Sequence, residues 1–442
     1  MLVRLFGDAE AEQIFSERRL VQSWLDVEIS LATAQAELGL IEPETATAIA
    51  NAARLEHVDL GLLWTEAQTV GYPILPLVRQ IENATPPEHR GRVHFGATTQ
   101  DIMDSGLALQ LTAATARLET LLQQLGDQIA TLAQRYATTV IAARTHAQQA
   151  VPTTLGTKLA VYLAEITRHR ARLMSAGRDV SVLSLFGAGG TSAAYGESAA
   201  ALRKNVAARL GLRPVDVPWH VARDSLAAYS STCAAMAATT ARFAREVVDL
   251  SRTEIAELAE ADGYLRGASS TMPQKRNPIE SEAVIGFAVC AEALSVAMLR
   301  AMEAGHERSA GEWQVEWQAL PQLVSLTCSG LLVAGSIARG LRVFPERMRQ
   351  NLRADAGLVM AEAHMMRLAP VLGRDRAHEL VYDAARRTRE TGEDFVQTLR
   401  QMCPEGIWTA VDELEPGRHV GDPEPTIAAA LSAWASVPVS PR

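Results

Sequence analysis

The stretch "AVIGFAVCAEALSVAML" (residues 283–299) is apolar enough to suggest a membrane span, yet it carries Glu292. It reads better as a helix packed inside a bundle. Segments 108–137, 154–176, 227–262, 279–304 and 318–340 share its character, being long, rich in alanine and almost free of internal proline. Helices of that length exceed the usual three turns and suit a long bundle in which small side chains let backbones approach. Upstream, "VQSWLDVEISLATAQAELGL" (21–40) sets Trp24, Val27, Leu31, Ala34 and Leu38 along one stripe, with Gly39 as a stop. After "RVFPERMRQN" (342–351) shorter amphipathic helices follow, then a "PEPT" turn at 423–426 and a frayed, proline-containing tail. No strand alternation persists. The patterns predict an all-α chain: an N-terminal helical domain over 1–107, a long central bundle over 108–345 and a small helical domain over 346–442. Such a bundle has more apolar surface than one chain can cover, which predicts a homo-oligomer with point-group symmetry.

Composition narrows the function. Lys and Arg total 42 against 51 Asp and Glu, a net charge of −9, and the charges are interspersed. No concentrated basic face suggests a nucleic-acid partner. Cys233, Cys290, Cys328 and Cys403 lie far apart and read as reduced thiols, neither a disulfide framework nor a zinc site. The start, "MLVRLFGDAEAEQIF", lacks the apolar core of a signal peptide. A cytoplasmic protein with no membrane partner is expected.

Three polar islands interrupt the helices. In "HFGATTQDIMDSG" (94–106), Thr98, Thr99 and Gln100 precede a helix expected to start near Asp104. Hydroxyls and backbone N–H groups before a helix can seat an anion, or Thr99 or Asp101 can simply cap the first turn. In "ARTHAQQAVPTT" (143–154), His146 is either a structural residue or an acid able to move a proton near neutral pH. In "GASSTMPQKRNP" (267–278), Gly267, Pro273 and Pro278 mark a loop carrying Ser269, Ser270, Lys275 and Asn277. Lys275 and Asn277 together suit a carboxylate, whereas a plain surface loop does not explain their grouping. Ser269 could act as a base only if donors stabilise its alkoxide. Glu282, on the next helix, could orient an imidazole.

Taken together the islands resemble the fumarase/aspartase superfamily along nearly the whole chain, most specifically through "SSTMPQKRNP" (269–278). The resemblance implies a three-domain helical subunit, a homotetramer around a helix bundle, and active sites that gather residues from three subunits. It implies that Ser269 is the catalytic base on a mobile loop and that Lys275 and Asn277 contact a substrate carboxylate. His146 matches the general acid of adenylosuccinate lyases, and Glu282 its paired glutamate. Thr98 and Thr99 match a Thr-Ser pair that holds a carboxylate, with Thr99 replacing the usual serine, and Thr145 joins them. Ala268 departs from the family's usual glycine. The implied chemistry takes a proton from carbon beside a carboxylate, forms an aci-carboxylate and expels a leaving group, with no metal or organic cofactor.

"PWHVARD" (218–224) and "HERSAGEWQVEW" (306–317) look like 3-carboxy-cis,cis-muconate cycloisomerases. Trp219, Trp313 and Trp317 stand at or near the segments that grip substrate in adenylosuccinate lyases, and Tyr72 stands where those enzymes have another catalytic histidine. Indoles cannot neutralise a phosphate, which disfavours a nucleotide. Packing at a domain junction is the alternative reading of the tryptophans. Retention of the His146–Glu282 pair places β-elimination from a small 2-substituted succinate first, for example nitrosuccinate to fumarate and nitrite. Lactonisation of a carboxymuconate comes second. An adenylosuccinate lyase and a non-catalytic structural tetramer rank below both.

Overall fold

The five long segments fold as the helices Thr99–Arg135, Leu155–Val180, Asp224–Leu250, Ile279–Ala301 and Glu312–Gly340 of a computed structural model that describes residues 1–404, 407 and 414–437. The helical class expected from periodicity is therefore observed. The cysteines are free, as expected. The chain divides into two compact units. The first comprises residues 1–122, 169–240 and 286–332, and the second residues 123–168, 241–285 and 333–442.

In the first unit, helix Glu17–Glu37 presents the expected stripe: Trp24, Val27, Leu31 and Ala34 are buried, and Leu38 is half-buried. Ser16 caps its start by accepting from the Arg19 N–H, and Gly39 takes the left-handed φ of 69° beyond its end. One core joins Trp24, Leu25, Ile49, Leu63, Leu77 and Ile102, and a second joins Leu31, Leu183, Leu185, Tyr195 and Leu202.

Among the boundaries that differ from expectation, three have a clear physical reason. The helix expected near Asp104 begins at Thr99. Asp101 reaches back to the Thr98 N–H at 3.1 Å, half of a capping box, so the helix starts a turn earlier. The helix expected over 227–262 ends at Leu250, because the chain turns back through Ala256 at φ 51° and the Glu257 N–H bonds the Leu250 carbonyl. The "PEPT" segment is not a turn but the first turn of helix Pro423–Ala435, where proline's missing N–H costs nothing. The expected tail, from Pro438 onward, lies outside the described residues.

The second unit contains a feature that periodicity missed, an antiparallel hairpin of Val140–Thr145 with Gln148–Thr154. It also buries a cluster around Leu358, Leu368, Val381, Phe395 and Leu399. His364 sits beside it, edge-on to Phe395 at 5.7 Å, fully buried and with neither ring nitrogen hydrogen-bonded. Burial, with the charges of Arg367 and His419, pushes its pKa down to about 4. The unfolded chain, with an ordinary histidine near 6.5, then binds a proton that the fold refuses. Stability from this group is complete above about pH 6.5 and falls as the pH drops towards 4. Urea unfolding should show wild type losing on the order of 2 kcal/mol more than His364→Leu between pH 7 and pH 5. Equal losses would contradict a neutral, unpartnered imidazole.

Helices Ile279–Ala301 and Glu312–Gly340 are both long and apolar enough to cross a membrane by composition. Only about 33% of the apolar window in Ile279–Ala301 is buried within one chain, against 67% for the other. Val289, Val296 and Leu299 on it are exposed.

Candidate functional site

Each unit carries a separate group of candidate residues. In the first, the backbone enters helix Thr99–Arg135 through His94 at φ 59°. The helix start is held by Asp101, whose carboxylate is buried and accepts from the Phe186 N–H (2.9 Å), the Gly187 N–H (2.8 Å) and the Thr98 N–H (3.1 Å), and bonds His220 Nε2 (2.9 Å). Burial pushes the Asp101 pKa up. The hydrogen bond and charge of His220, with the amides, outweigh it and leave the group below the usual carboxylate range. Asp101 thus does more than cap; it ties the 184–187 segment to the seat.

His94 Nδ1 lies 2.6 Å from Glu28 Oε1. Burial lowers its pKa, but Glu28 and Asp101 outweigh burial and hold it above an ordinary histidine.

Thr98 and Thr99 are half-buried at this helix start, and Thr99 makes no side-chain hydrogen bond. Sequence reasoning missed Arg308. Its Nη2 donates to Thr98 Oγ1 at 3.2 Å and its Nε to Gln100 Oε1 at 2.9 Å. Arg308 stands in "HERSAGEW" (306–313), within the segment that resembles cycloisomerases. A guanidinium, a hydroxyl and free backbone donors at one helix N-terminus can hold a carboxylate.

Behind the seat, Arg223 donates through Nη1 and Nη2 to Asp104 (2.8 and 3.0 Å) and through Nε to Glu316 (2.8 Å). Trp219 supports this guanidinium, its ring 4.9 Å away, and donates Nε1 to the Leu183 carbonyl. Trp219 thus packs against the Arg223 cluster.

In the second unit, His146 and Ala147 form the two-residue turn of the hairpin, at φ 51° and 64°. Left-handed angles at both positions match a type I′ turn, which normally uses Asn-Gly. Holding histidine and alanine there costs energy that the surroundings must over-determine, a pattern concentrated at functional sites. The clamp is Arg144, which grips buried Glu257 with Nη1 at 2.9 Å and Nη2 at 2.7 Å, while Asn351 Nδ2 donates to the same carboxylate at 2.8 Å. Thr145 and His146 are exposed at the tip.

The island 267–278 is a loop, as expected. It is pinched at its neck, where the Asn277 N–H donates to the Gly267 carbonyl at 2.8 Å and Ala268 bridges Arg276. Gly267 has φ 65°, and a Cβ there would collide with the Asn277 carbonyl. Within the loop, Ser269 Oγ accepts from the Met272 N–H at 3.1 Å and the Thr271 N–H at 3.3 Å. Lys275 is exposed and Asn277 half-buried, and neither side chain makes a hydrogen bond or ion pair. Helix Ile279–Ala301 follows directly, its first turn anchored by Glu260, which accepts from the Ser281 N–H and Oγ at 2.7 Å. Glu282 is exposed on that helix and makes no hydrogen bond to His146 within one chain. The second unit thus groups Ser269, Lys275 and Asn277 on one loop and Thr145 with His146 on one turn. Among the described residues no three His, Cys, Asp or Glu side chains gather as a metal ion would need.

Residues 8–291 match the family described as Lyase, and residues 357–413 the adenylosuccinate lyase C-terminus family. The chain is 39% identical over 434 residues to a Pseudomonas aeruginosa 3-carboxy-cis,cis-muconate cycloisomerase, covering 97% of this chain and 95% of that one. It is 33% identical to a Dickeya dadantii N-acetyl-S-(2-succino)cysteine lyase, covering 94% and 92% of the two chains. A crystal structure of the 3-carboxy-cis,cis-muconate lactonizing enzyme from Pseudomonas putida superposes with a TM-score of 0.91 at 35% identity, covering 98% of this chain and 99% of that one. The chain belongs to the fumarase/aspartase superfamily of lyases.

Proposed function

We propose that this chain interconverts 3-carboxy-cis,cis-muconate and its lactone, with Ser269 exchanging the proton on carbon beside a carboxylate. The observation that carries the reading is the pair of backbone N–H groups aimed at Ser269 Oγ. They supply the donors that an alkoxide needs, in a loop too exposed to need them for stability. Sequence alone ranked a small 2-substituted succinate first and the carboxymuconate second; the cycloisomerase relatives reverse that order.

In the lactonising direction a substrate carboxylate oxygen adds to the alkene carbon. The displaced electron pair moves onto the neighbouring carbon as an aci-carboxylate, and the Ser269 hydroxyl delivers its proton to that carbon. The residual alkoxide is held by the Thr271 and Met272 amides and regains a proton from solvent. One carboxylate becomes the lactone ester and one proton is taken up from solvent, so the fully protonated acid and its lactone are isomers. Arg308, Thr98 and Thr99 grip one substrate carboxylate, and Lys275 and Asn277 meet another, with Thr145 beside them. The site forms between subunits of a homotetramer. Support for assembly comes from the exposed apolar side chains of helix Ile279–Ala301 and from the exposed positions of His146 and Lys275 in one chain. In the assembled site Glu282 orients His146.

Elimination from a succinate thioether or similar substrate is the second reading, favoured by His146 at the strained hairpin tip. A carboxylate leaving group is weakly basic and needs no acid, whereas a thiolate or amine does. Incubation with 3-carboxy-cis,cis-muconate should abolish its diene absorbance, and His146→Ala should slow this less than about tenfold. Unchanged muconate alongside fumarate release from N-acetyl-S-(2-succino)cysteine would overturn the first reading in favour of the second.

A further inference from the structure

Among the cavities that substrate binding leaves unused, one is walled by aromatic rings. It lies wholly within the first unit, has a volume of about 530 Å³ and is walled by Trp24, Trp64, Tyr72, Trp313 and Trp317. The rings form a connected wall: Tyr72 stacks on Trp313 at 5.8 Å, and Trp317 meets Trp313 edge-on at 4.9 Å and Tyr72 at 6.0 Å. Trp24 and Trp64 pair edge-on at 6.3 Å. Asp104 and Glu316 also line it, and no lysine or arginine does.

Charge decides what fits. The two carboxylates share one guanidinium, Arg223, so this edge of the cavity carries one more acid than base. A polycarboxylate entering here would meet negative carboxylates and the negative faces of indoles, with no cation to receive it. An organic cation would meet the reverse: attraction to the ring faces and to the acidic edge. The volume matches pockets for small ligands.

We propose that this cavity is a second binding site, separate from the carboxylate seat, that takes a small organic monocation with an aromatic or branched-alkyl body. Its acidic edge is tied to the seat through Gln100, which donates to Asp104 Oδ2 at 3.2 Å while accepting from Arg308. The inference does not depend on which polycarboxylate is the substrate.

The test titrates the whole protein with phenyltrimethylammonium, its neutral isostere tert-butylbenzene, and benzoate, following indole fluorescence and heat. Phenyltrimethylammonium should bind saturably and at least about tenfold more tightly than tert-butylbenzene, with no saturable binding of benzoate. Trp317→Leu, at a side chain 37% exposed and so tolerant of change, should weaken the cation by about fivefold or more. Equal affinity for the neutral isostere would reduce the cavity to an apolar hole and overturn the proposal. So would tight benzoate binding, no binding of the cation, or cation binding indifferent to Trp317→Leu.

Discussion

Ser269→Ala should lower kcat by about 10²- to 10⁴-fold, the range of a lost general acid or base, with little change in KM. Stability should fall by less than about 1 kcal/mol, because the Thr271 and Met272 amides freed by the change face solvent in an exposed loop. A second readout separates proton transfer from mere loop shape. In deuterated water the wild-type protein should exchange the product hydrogen beside the carboxylate, and Ser269→Ala should lose that exchange in parallel with turnover. Activity within tenfold of wild type, or exchange that persists in the variant, would place the base on another residue. Ser269→Thr, which keeps a hydroxyl in the same turn, should recover part of both.

Asp101→Asn should cost about 3 kcal/mol of stability at neutral pH and raise KM at least about tenfold. The carboxylate meets three backbone donors and His220, so an amide in its place turns one acceptor into a donor facing another donor. The same change loosens the Thr98 end of the helix, the proposed seat of a substrate carboxylate. The pH dependence follows from the depressed pKa. The ionised Asp101 contributes stability that is present above the ordinary carboxylate pKa and is lost as pH falls through its lower folded value. The gap between wild type and Asp101→Asn, measured by urea unfolding, should therefore narrow in acid. An asparagine variant as stable as wild type at pH 7 would show that the bonds to Asp101 carry no net energy.

Arg308 and His146 show where sequence reading stops. Arg308 meets the Thr98 seat across 210 positions, and nothing local to "HERSAGEW" announces that pairing. The hairpin carrying His146 was hidden because "VIAART" and "QQAVPTT" are short and mixed in character, and its turn lacks the Asn-Gly that would have marked it. The strand leading into that turn is held through Arg144 by Glu257, 113 positions away. The early end of helix Asp224–Leu250 has the same origin, since the residue that stops it is the one drawn into that ion pair.

What the amino-acid order determined alone was whatever depends on near neighbours. Helical class and the buried stripe of Glu17–Glu37 follow from periodicity, and the 267–278 loop follows from glycine and proline at its ends. Ser269, Lys275 and Asn277 share one loop for the same reason. Tertiary structure decided the rest: the anchoring of Asp101, the Arg308 contact, the turn at His146 and the aromatic cavity. Each of these depends on buried charges and rings meeting across long stretches of chain, where partner choice is set by packing and desolvation rather than by local spacing.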